Sequence, residues 1–189
     1  MSELKRKLNI IDKNDQVIGQ DTRENIHQNG LLHREIHIWV FNRKKGVLLQ
    51  KRARDKDTYP GLLDASTGGH VEIGDDYLKT AVKELKEETG IKANPSDLVF
   101  ITKMRQKSYD QVTNMTNNVI RVVYAFEYNG ELNDLKIEKG KATSLEFWPL
   151  EKIFNPSKKD KKKFIPALLS DQVLDILRKI EKLVEANIR

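Results

Sequence analysis

The sequence predicts an α+β or α/β sandwich that is built from one domain, with an additional helix towards the C-terminal end. Segments with strand periodicity and segments with helix periodicity are interspersed along the chain, and no segment is repeated. The 189 residues, 38% of them hydrophobic, are enough to form one sizeable core. We therefore expect a single core with helices packed against a sheet.

The composition limits the chemistry that the protein can perform. The chain has no cysteine, which excludes disulfides, thiolate ligands and a cysteine nucleophile, so any metal must be bound by oxygen or imidazole. It has no apolar run of about 18 residues, and the first ten residues lack the apolar core of a secretory signal, so we expect a cytoplasmic protein without a membrane partner. The net charge of +6 favours an anionic ligand, such as a phosphate compound or a nucleic acid.

Alternation and turn residues predict the elements of the N-terminal half. LNIIDKNDQVIGQ predicts two short strands around the turn KND, and TRENIHQNG predicts a short helix that is capped by Thr22 and ended by Gly30. EIHIWVFNRKKGVLLQ predicts a hairpin that turns at NRKKG. Residues 52–74 are rich in glycine and charge, and are predicted to form a loop.

In the C-terminal half, residues 76–89 are predicted to form a helix that Gly90 ends, because their apolar residues fall on one stripe. LVFITKM and NNVIRVVYAFEY predict strands, NGELND a turn, and SLEFWPLEKIF a last strand that runs into a helical turn. We divide the chain into a domain with an N-terminal hairpin (1–155), a basic loop (156–169) and an amphipathic helix (170–189) that packs on the domain or on a partner subunit.

Two features of the sequence concern possible binding partners: the amphipathic C-terminal helix and the run of lysines before it. A homodimer through the C-terminal helix is left open. The lysine run at 158–163 has no interleaved aromatic residues for base stacking, so it is interpreted as a solvated loop and nucleic acid is not an expected partner.

Three carboxylates stand close together in the predicted helix. Glu84, Glu87 and Glu88 fall within an arc of roughly 100° at one end of the helix, where like charges repel unless a cation lies between them. Hard divalent cations such as Mg²⁺ (or Mn²⁺) bind carboxylates and complete their coordination with waters and substrate phosphates. The alternative is a solvated helix face on which Glu87 pairs with Lys83 four residues earlier.

The spacing around these glutamates resembles a known signature. Gly69, five residues, Asp75, seven residues and then KELKEETGI resemble the Nudix box of hydrolases that act on nucleoside diphosphates linked to another group. The chain departs from the family pattern at Asp75, where the family has glutamate, and at Lys83, where it has arginine. The resemblance implies a Nudix-type α/β/α sandwich with a mixed central sheet, to which a C-terminal helix is added.

The resemblance also implies roles for individual residues. Glu84, Glu87, Glu88 and the backbone carbonyl of Gly69 match the family's metal ligands, and Lys83 replaces an arginine thought to orient one of them. Lysine keeps the charge but lacks the bidentate geometry of arginine. The implied reaction is attack of water on a phosphorus atom of a small-molecule diphosphate. Either Glu87 or Glu88 is the general base, with Glu138 and Glu146 as weaker candidates.

Outside the box, LLHREIHIWVFN and the segment that follows it resemble the Nudix subgroup of isopentenyl-diphosphate isomerase. This resemblance matches His27, His33 and His70 to the isomerase's histidines, and Arg52 and Lys56 to its diphosphate-binding cations. Three departures disfavour isomerase activity, because the catalytic cysteine and two glutamates of that enzyme fall at Gly68, Met115 and Asn117.

We therefore expect a hydrolase that contacts its substrate through Arg52, Lys56 and His70. A Nudix-fold module that binds a diphosphate or RNA without hydrolysis is the alternative. His37 alternates with Trp39 and Phe41, and is interpreted as part of a packed strand face. Specificity is expected in the loops at 59–64 and 108–116.

Overall fold

The computed structural model describes residues 3–56 and 58–186. Within these residues the chain forms nine strands and five α-helices, which are interspersed as the sequence predicts. The strands are β1 (Lys7–Ile11), β2 (Val17–Thr22), β3 (His33–Asn42), β4 (Gly46–Arg52), β5 (Leu63–Asp64), β6 (Thr67–His70), β7 (Leu98–Asp110), β8 (Met115–Glu127) and β9 (Ala142–Trp148); the helices are α1 (Arg23–Gln28), α2 (Tyr77–Thr89), α3 (Leu150–Phe154), α4 (Lys158–Lys161) and α5 (Asp171–Glu185).

Seven of the strands form one mixed sheet in the order β5-β4-β3-β8-β7, with β6 paired to β3 and β9 paired to β4. The pair β3 and β8 is parallel, whereas the other pairs are antiparallel. The predicted β3–β4 hairpin exists only next to its turn, where Phe41 pairs with Val47 and Asn42 with Gly46. Farther along β3, β6 is the paired strand, so the two halves of the hairpin separate.

Helices cover both faces of this sheet. Alternate residues of a strand point to opposite faces, and β3 sends Ile36 and Ile38 into a cluster with Leu85 of α2. Its residues Trp39 and Phe41 belong to a second cluster that contains the apolar face of α5. The α/β/α sandwich with a mixed sheet is thereby confirmed, and α5 packs on its own domain.

The prediction of a basic loop at 156–169 has to be corrected. It contains α4, which is capped by Ser157, and a 3-10 helix at Pro166–Leu169. Phe164 and Leu168 lie among its charged residues and are only 3% and 1% exposed, because they pack into the cluster that holds α5. Burial of these apolar residues gives the segment an ordered path. The last residues of the predicted helix, 187–189, lie outside the described part of the chain.

Two further segments predicted as loops contain strand residues. Residues 52–74 contain β5 and β6, although glycines normally weaken a strand. Pairing with β3 places Gly68 opposite His37 and Gly69 opposite Ile36, and so overrides the local tendency of the sequence. Residues 108–116 belong largely to the ends of β7 and β8 rather than to a loop.

No helix among residues 3–56 and 58–186 has the length and the apolar character that crossing a membrane requires.

Candidate functional site

Helix α2 holds two of the predicted metal ligands in the interior. It begins after Asp76, whose side chain accepts a hydrogen bond from the Lys79 N–H at 2.7 Å, and it ends at Gly90 with φ +75°. These two ends match the prediction from the sequence. Glu84 and Glu88 are 8% and 6% exposed, so both carboxylates are buried on the side of α2 that faces the sheet.

Gly69 on β6 touches one of these carboxylates. A Cβ atom at this position would lie 2.5 Å from Cδ of Glu84, so the glutamate packs directly against the glycine backbone. Only a residue without a side chain permits this approach. The predicted pairing of Gly69 with Glu84 in one site therefore has a steric basis in the fold.

The electrostatics of the glutamates fit a bound cation. Burial, together with the charge of Glu88, raises the pKa of Glu84 to about 7. Burial also raises the pKa of Glu88, although Lys141 opposes the shift with its Nζ 3.1 Å from Oε1. Oε2 of Glu88 is buried and has no hydrogen-bond partner among the described residues. Two buried oxygen donors with one free carboxylate atom suit a hard divalent ion.

The other residues of the box lie at the periphery. Glu87 is exposed on the same helix. The ion pair of Lys83 is made with Glu72, at 2.8 Å, so it does not directly orient a glutamate of α2 as the resemblance implied. Asp75 is paired with Lys79 at 2.6 Å. The shorter side chain of Asp75 therefore makes its ion pair with the next turn of the helix.

The site opens into a cavity of about 680 Å³. This volume lies in the range of sites that bind small molecules. Glu88 and the cations Arg52 and Lys56 are among the residues that line it. Several residues of the segments that we expected to set specificity also reach the cavity: Asp64, Ser108, Asp110, Thr113 and Met115.

The two predicted diphosphate-binding cations differ in how they are held. Arg52 donates from Nη1 to Asp64 Oδ2 at 2.9 Å and from Nε to the Thr58 carbonyl at 3.1 Å. It is therefore oriented before any ligand binds. Lys56 is half-buried in the cavity wall, whereas Arg54 is exposed and is not among the residues that line the cavity.

Three histidines converge at the cavity. The ligand nitrogens of His27, His33 and His70 all lie within 4.8 Å of one another, and His27 and His70 line the cavity. Nδ1 of His27 and of His33 lies 2.7 Å and 2.9 Å from the carbonyl oxygens of Arg23 and Leu31. A carbonyl only accepts, so both Nδ1 atoms carry the proton and both Nε2 atoms keep a free lone pair.

Burial keeps these imidazoles neutral. It lowers the pKa of His33 to about 4, and it also lowers the pKa values of His27 and His70. Nε2 of His33 and of His70 is buried and has no hydrogen-bond partner among the described residues. Neutral imidazoles with free lone pairs are the form that binds transition metals.

The prediction that His37 belongs to a packed face of β3 has to be corrected. It shares a face with Trp39 but lines the cavity instead of the packed core. Glu35, two residues earlier, also lines the cavity and is bound by Arg121, whose Nε lies 2.8 Å from Oε2. The interpretation of His37 as core was wrong because the strand face changes from cavity to core between His37 and Trp39.

Glu35, Arg121 and Lys141 are the site residues that reasoning from the sequence missed. The period of two along β3 could have revealed Glu35, since it falls between His33 and His37 on one face. Arg121 and Lys141 had no comparable local signal, because their partners lie far away in the sequence.

Position 68, which matches the isomerase's catalytic cysteine, has no room for a side chain in this fold. A Cβ atom at Gly68 would lie 2.7 Å from Cδ2 of His37 and 2.9 Å from the carbonyl oxygen of Ile36. A thiol side chain would not fit without movement of the backbone. Met115 and Asn117 line the cavity, as their match to the isomerase's glutamates implied, but they supply no carboxylate there.

Comparison with known proteins agrees with the fold. A family model described as "NUDIX domain" matches residues 31–168. The chain belongs to the Nudix family. The crystal structure of DR0079 from Deinococcus radiodurans has the same fold, with a TM-score of 0.66 at 16% identity, and the match covers 92% of this chain and 98% of that one.

Two curated relatives indicate where the chain lies within the family. An uncharacterized Nudix hydrolase of Clostridium acetobutylicum is 30% identical over 144 residues, which cover 73% of this chain and 67% of that protein. Isopentenyl-diphosphate delta-isomerase 2 of Homo sapiens is 34% identical over 125 residues, which cover 57% of this chain and 55% of that protein. The matches span about half the length of several other Nudix relatives. This protein is thus a Nudix hydrolase relative that also resembles isopentenyl-diphosphate isomerase.

Proposed function

We propose that this protein hydrolyses a pyrophosphate bond in a nucleoside diphosphate derivative or a related small diphosphate, with Mg²⁺ or Mn²⁺ as its cofactor. The observation that carries the proposal is the buried pair Glu84 and Glu88 at the edge of a cavity that Arg52 and Lys56 also line. Carboxylates for a cation and cations for phosphates are the two requirements of this chemistry.

Each residue of the site has a part in this reaction. Glu84, Glu87, Glu88 and the carbonyl of Gly69 would hold the divalent ions, which when bound neutralise phosphate oxygens and acidify a water molecule. Arg52 binds the diphosphate with a guanidinium that Asp64 already orients.

The remaining parts of the reaction are proton transfer to a carboxylate base, departure of the product and a further contact with the substrate. Glu87 or Glu88 takes the proton of the attacking water, and the leaving phosphate compound departs towards the open side of the cavity. His70, which also lines the cavity, contacts another part of the substrate.

The test is phosphate or monophosphate release from a panel of nucleoside diphosphates, dinucleotides and nucleotide sugars with Mg²⁺ or Mn²⁺. We expect Glu88→Gln to lower release by about a hundredfold or more, because it removes a metal ligand. Glu87→Gln tests the second candidate for the base. Glu151→Gln is the matched control, because Glu151 is exposed on α3 away from the cavity.

Two further measurements, ligand binding with this panel and incubation with isopentenyl diphosphate, separate the alternatives. Ligand binding without any release would support a non-hydrolytic binding module and contradict the hydrolase. Double-bond migration in isopentenyl diphosphate would support an isomerase. The closed position at Gly68 argues against that outcome, as do the non-carboxylate side chains of Met115 and Asn117.

A further inference from the structure

Lys141 links the anionic and cationic parts of the cavity. Its carbonyl accepts a hydrogen bond from the Ala53 N–H at 3.2 Å, which places its backbone beside the end of β4 that carries Arg52. Its ammonium extends to Oε1 of Glu88 at 3.1 Å, and the residue lines the cavity together with Arg52 and Lys56. The Lys141 side chain therefore lies within reach of the Glu88 carboxylate and of the region around Arg52.

The backbone of Lys141 is held by hydrogen bonds, whereas its side chain is partly exposed. The Lys141 N–H donates to the Glu138 carbonyl at 3.1 Å, and Gly140 between them adopts φ +81°, which closes a tight turn. The Lys141 side chain is 31% exposed, whereas that of Glu88 is 4% exposed. A rotation about the four-carbon stem moves the ammonium from Glu88 into the cavity without a change in the backbone.

Lys141 and a divalent cation are competitors for Glu88. Both would lie next to the same buried carboxylate, where two positive charges repel much more strongly than in water. A cation on Glu88 therefore favours the rotamers of Lys141 that point elsewhere in the cavity. The anionic group that would meet the ammonium there is the substrate diphosphate, next to Arg52 and Lys56.

We propose that Lys141 is a diphosphate-binding residue that exchanges Glu88 for the substrate's phosphate oxygens when the divalent cation binds Glu88. This inference rests on the proposed function, since it takes Glu88 as a metal ligand and a diphosphate as the ligand of the cavity. It gives Lys141 two opposite effects: the side chain weakens binding of the metal alone and strengthens binding of the diphosphate.

The experiment measures these two affinities separately by titration calorimetry on the full chain. The first titration uses Mn²⁺ alone, and the second uses methylenediphosphonate, a diphosphate that cannot be hydrolysed, at saturating Mn²⁺. We expect Lys141→Met to bind Mn²⁺ about three- to tenfold more tightly and methylenediphosphonate about tenfold more weakly. Lys141→Arg keeps the charge and should resemble the wild type in both titrations.

Lys139→Met is the matched control, because Lys139 is exposed in the same turn and its loss removes the same charge. It should leave both affinities within about twofold of the wild type. Lys141→Gln gives a second neutral variant, so the test does not depend on the folding of one protein. A purely structural role for Lys141 would weaken both affinities or neither, and either result would overturn the proposal.

The outcomes also separate this inference from the proposed function. Both affinity changes without phosphate release from any substrate in the panel would overturn the hydrolase and support the role of Lys141. Metal-dependent release with neither affinity change would support the hydrolase and overturn the role of Lys141 alone.

Discussion

Glu35 is a buried carboxylate whose negative charge is stabilised mainly by Arg121. Burial alone would raise the pKa of Glu35, but the charge of Arg121, reinforced by its hydrogen bonds to Oε2, lowers it to about 2 from the ordinary value of 4.5. The unfolded chain therefore binds more protons than the folded chain between these two values. It follows that the ionised Glu35 stabilises the fold fully above pH 4.5, and that this stabilisation is lost as the pH falls through about 2.

We expect Glu35→Gln to be less stable than the wild type by up to about 3 kcal/mol near neutral pH, because Arg121 loses its counter-charge. The difference should shrink as the solution is acidified to about pH 3. Urea denaturation of both proteins at the two pH values measures it, with Glu151→Gln as the exposed control. A difference in the free energy of unfolding that stays constant with pH would contradict the assignment.

Gly69 gives a second prediction for a single residue. In Gly69→Ala the new methyl group would lie 2.5 Å from Cδ of Glu84, which is the end of a flexible side chain. The carboxylate can turn away, so we expect the free energy of unfolding to fall by about 1 kcal/mol or less. Mn²⁺ affinity, measured by calorimetry, should fall by about tenfold or more, since a metal ligand is displaced.

Gly19→Ala is the control for this change. A Cβ atom at Gly19 would lie 3.7 Å from Ile10 Cδ1, an ordinary contact on the β1–β2 hairpin. It should affect neither stability nor Mn²⁺ binding strongly. Unchanged Mn²⁺ affinity in Gly69→Ala would show that Glu84 does not need its position beside the glycine backbone.

At the scale of elements, local patterns determined what the sequence could predict. The arc of Glu84, Glu87 and Glu88, the start near Asp76 and the stop at Gly90 all belong to one helix, so local patterns placed them. The pair of Glu35 and Arg121 joins residues that are 86 positions apart and depends on the parallel pairing of β3 with β8. No local pattern specifies that pairing.

At the edge of the cavity, too, local sequence patterns could not predict the structure. β6 was missed because two adjacent glycines are unfavourable in an isolated strand, and only its hydrogen bonds to β3 make it one. Lys141 was missed because it meets Glu88 only after β9 has paired with β4. The sequence therefore predicted the helix that carries the glutamates and most of the strands around the cavity, but not the short strands β5 and β6.

Helix α5 is an element whose contribution to stability is testable. Leu177 is fully buried against the sheet in the same cluster as Trp39 and Phe41. We expect Leu177→Ala to lower the free energy of unfolding by about 2–5 kcal/mol, because it removes buried apolar atoms and leaves a cavity. Lys179→Ala on the exposed face should cost less than about 0.5 kcal/mol.

Urea denaturation followed by tryptophan fluorescence and by circular dichroism measures both variants. Coincident transitions by the two probes are expected if α5 unfolds together with the sheet, since Trp39 lies in the sheet. A loss of less than about 1 kcal/mol in Leu177→Ala would mean that α5 is an appendage rather than one layer of the sandwich.

At the scale of the whole molecule, the fold brings two sets of candidate metal ligands to one cavity. Glu88 and its neighbours on α2 offer oxygen, whereas α1, β3 and β6 contribute the imidazoles of His27, His33 and His70. Oxygen donors favour Mg²⁺ and Mn²⁺, whereas imidazoles favour Zn²⁺ and Co²⁺. The two sets should therefore bind different ions, and each should be removable without the other.

We expect a double variant, His27→Asn with His70→Asn, to lose the visible absorption of bound Co²⁺ and to keep its affinity for Mg²⁺. Glu84→Gln with Glu88→Gln should show the reverse, because the imidazole cluster does not depend on these carboxylates. His37→Asn is the control, since it removes a histidine that lines the same cavity but lies outside the cluster. If Co²⁺ absorption disappeared with the glutamates and persisted without the histidines, a single oxygen site would bind every ion, and the neutral imidazoles would have to be explained by packing alone.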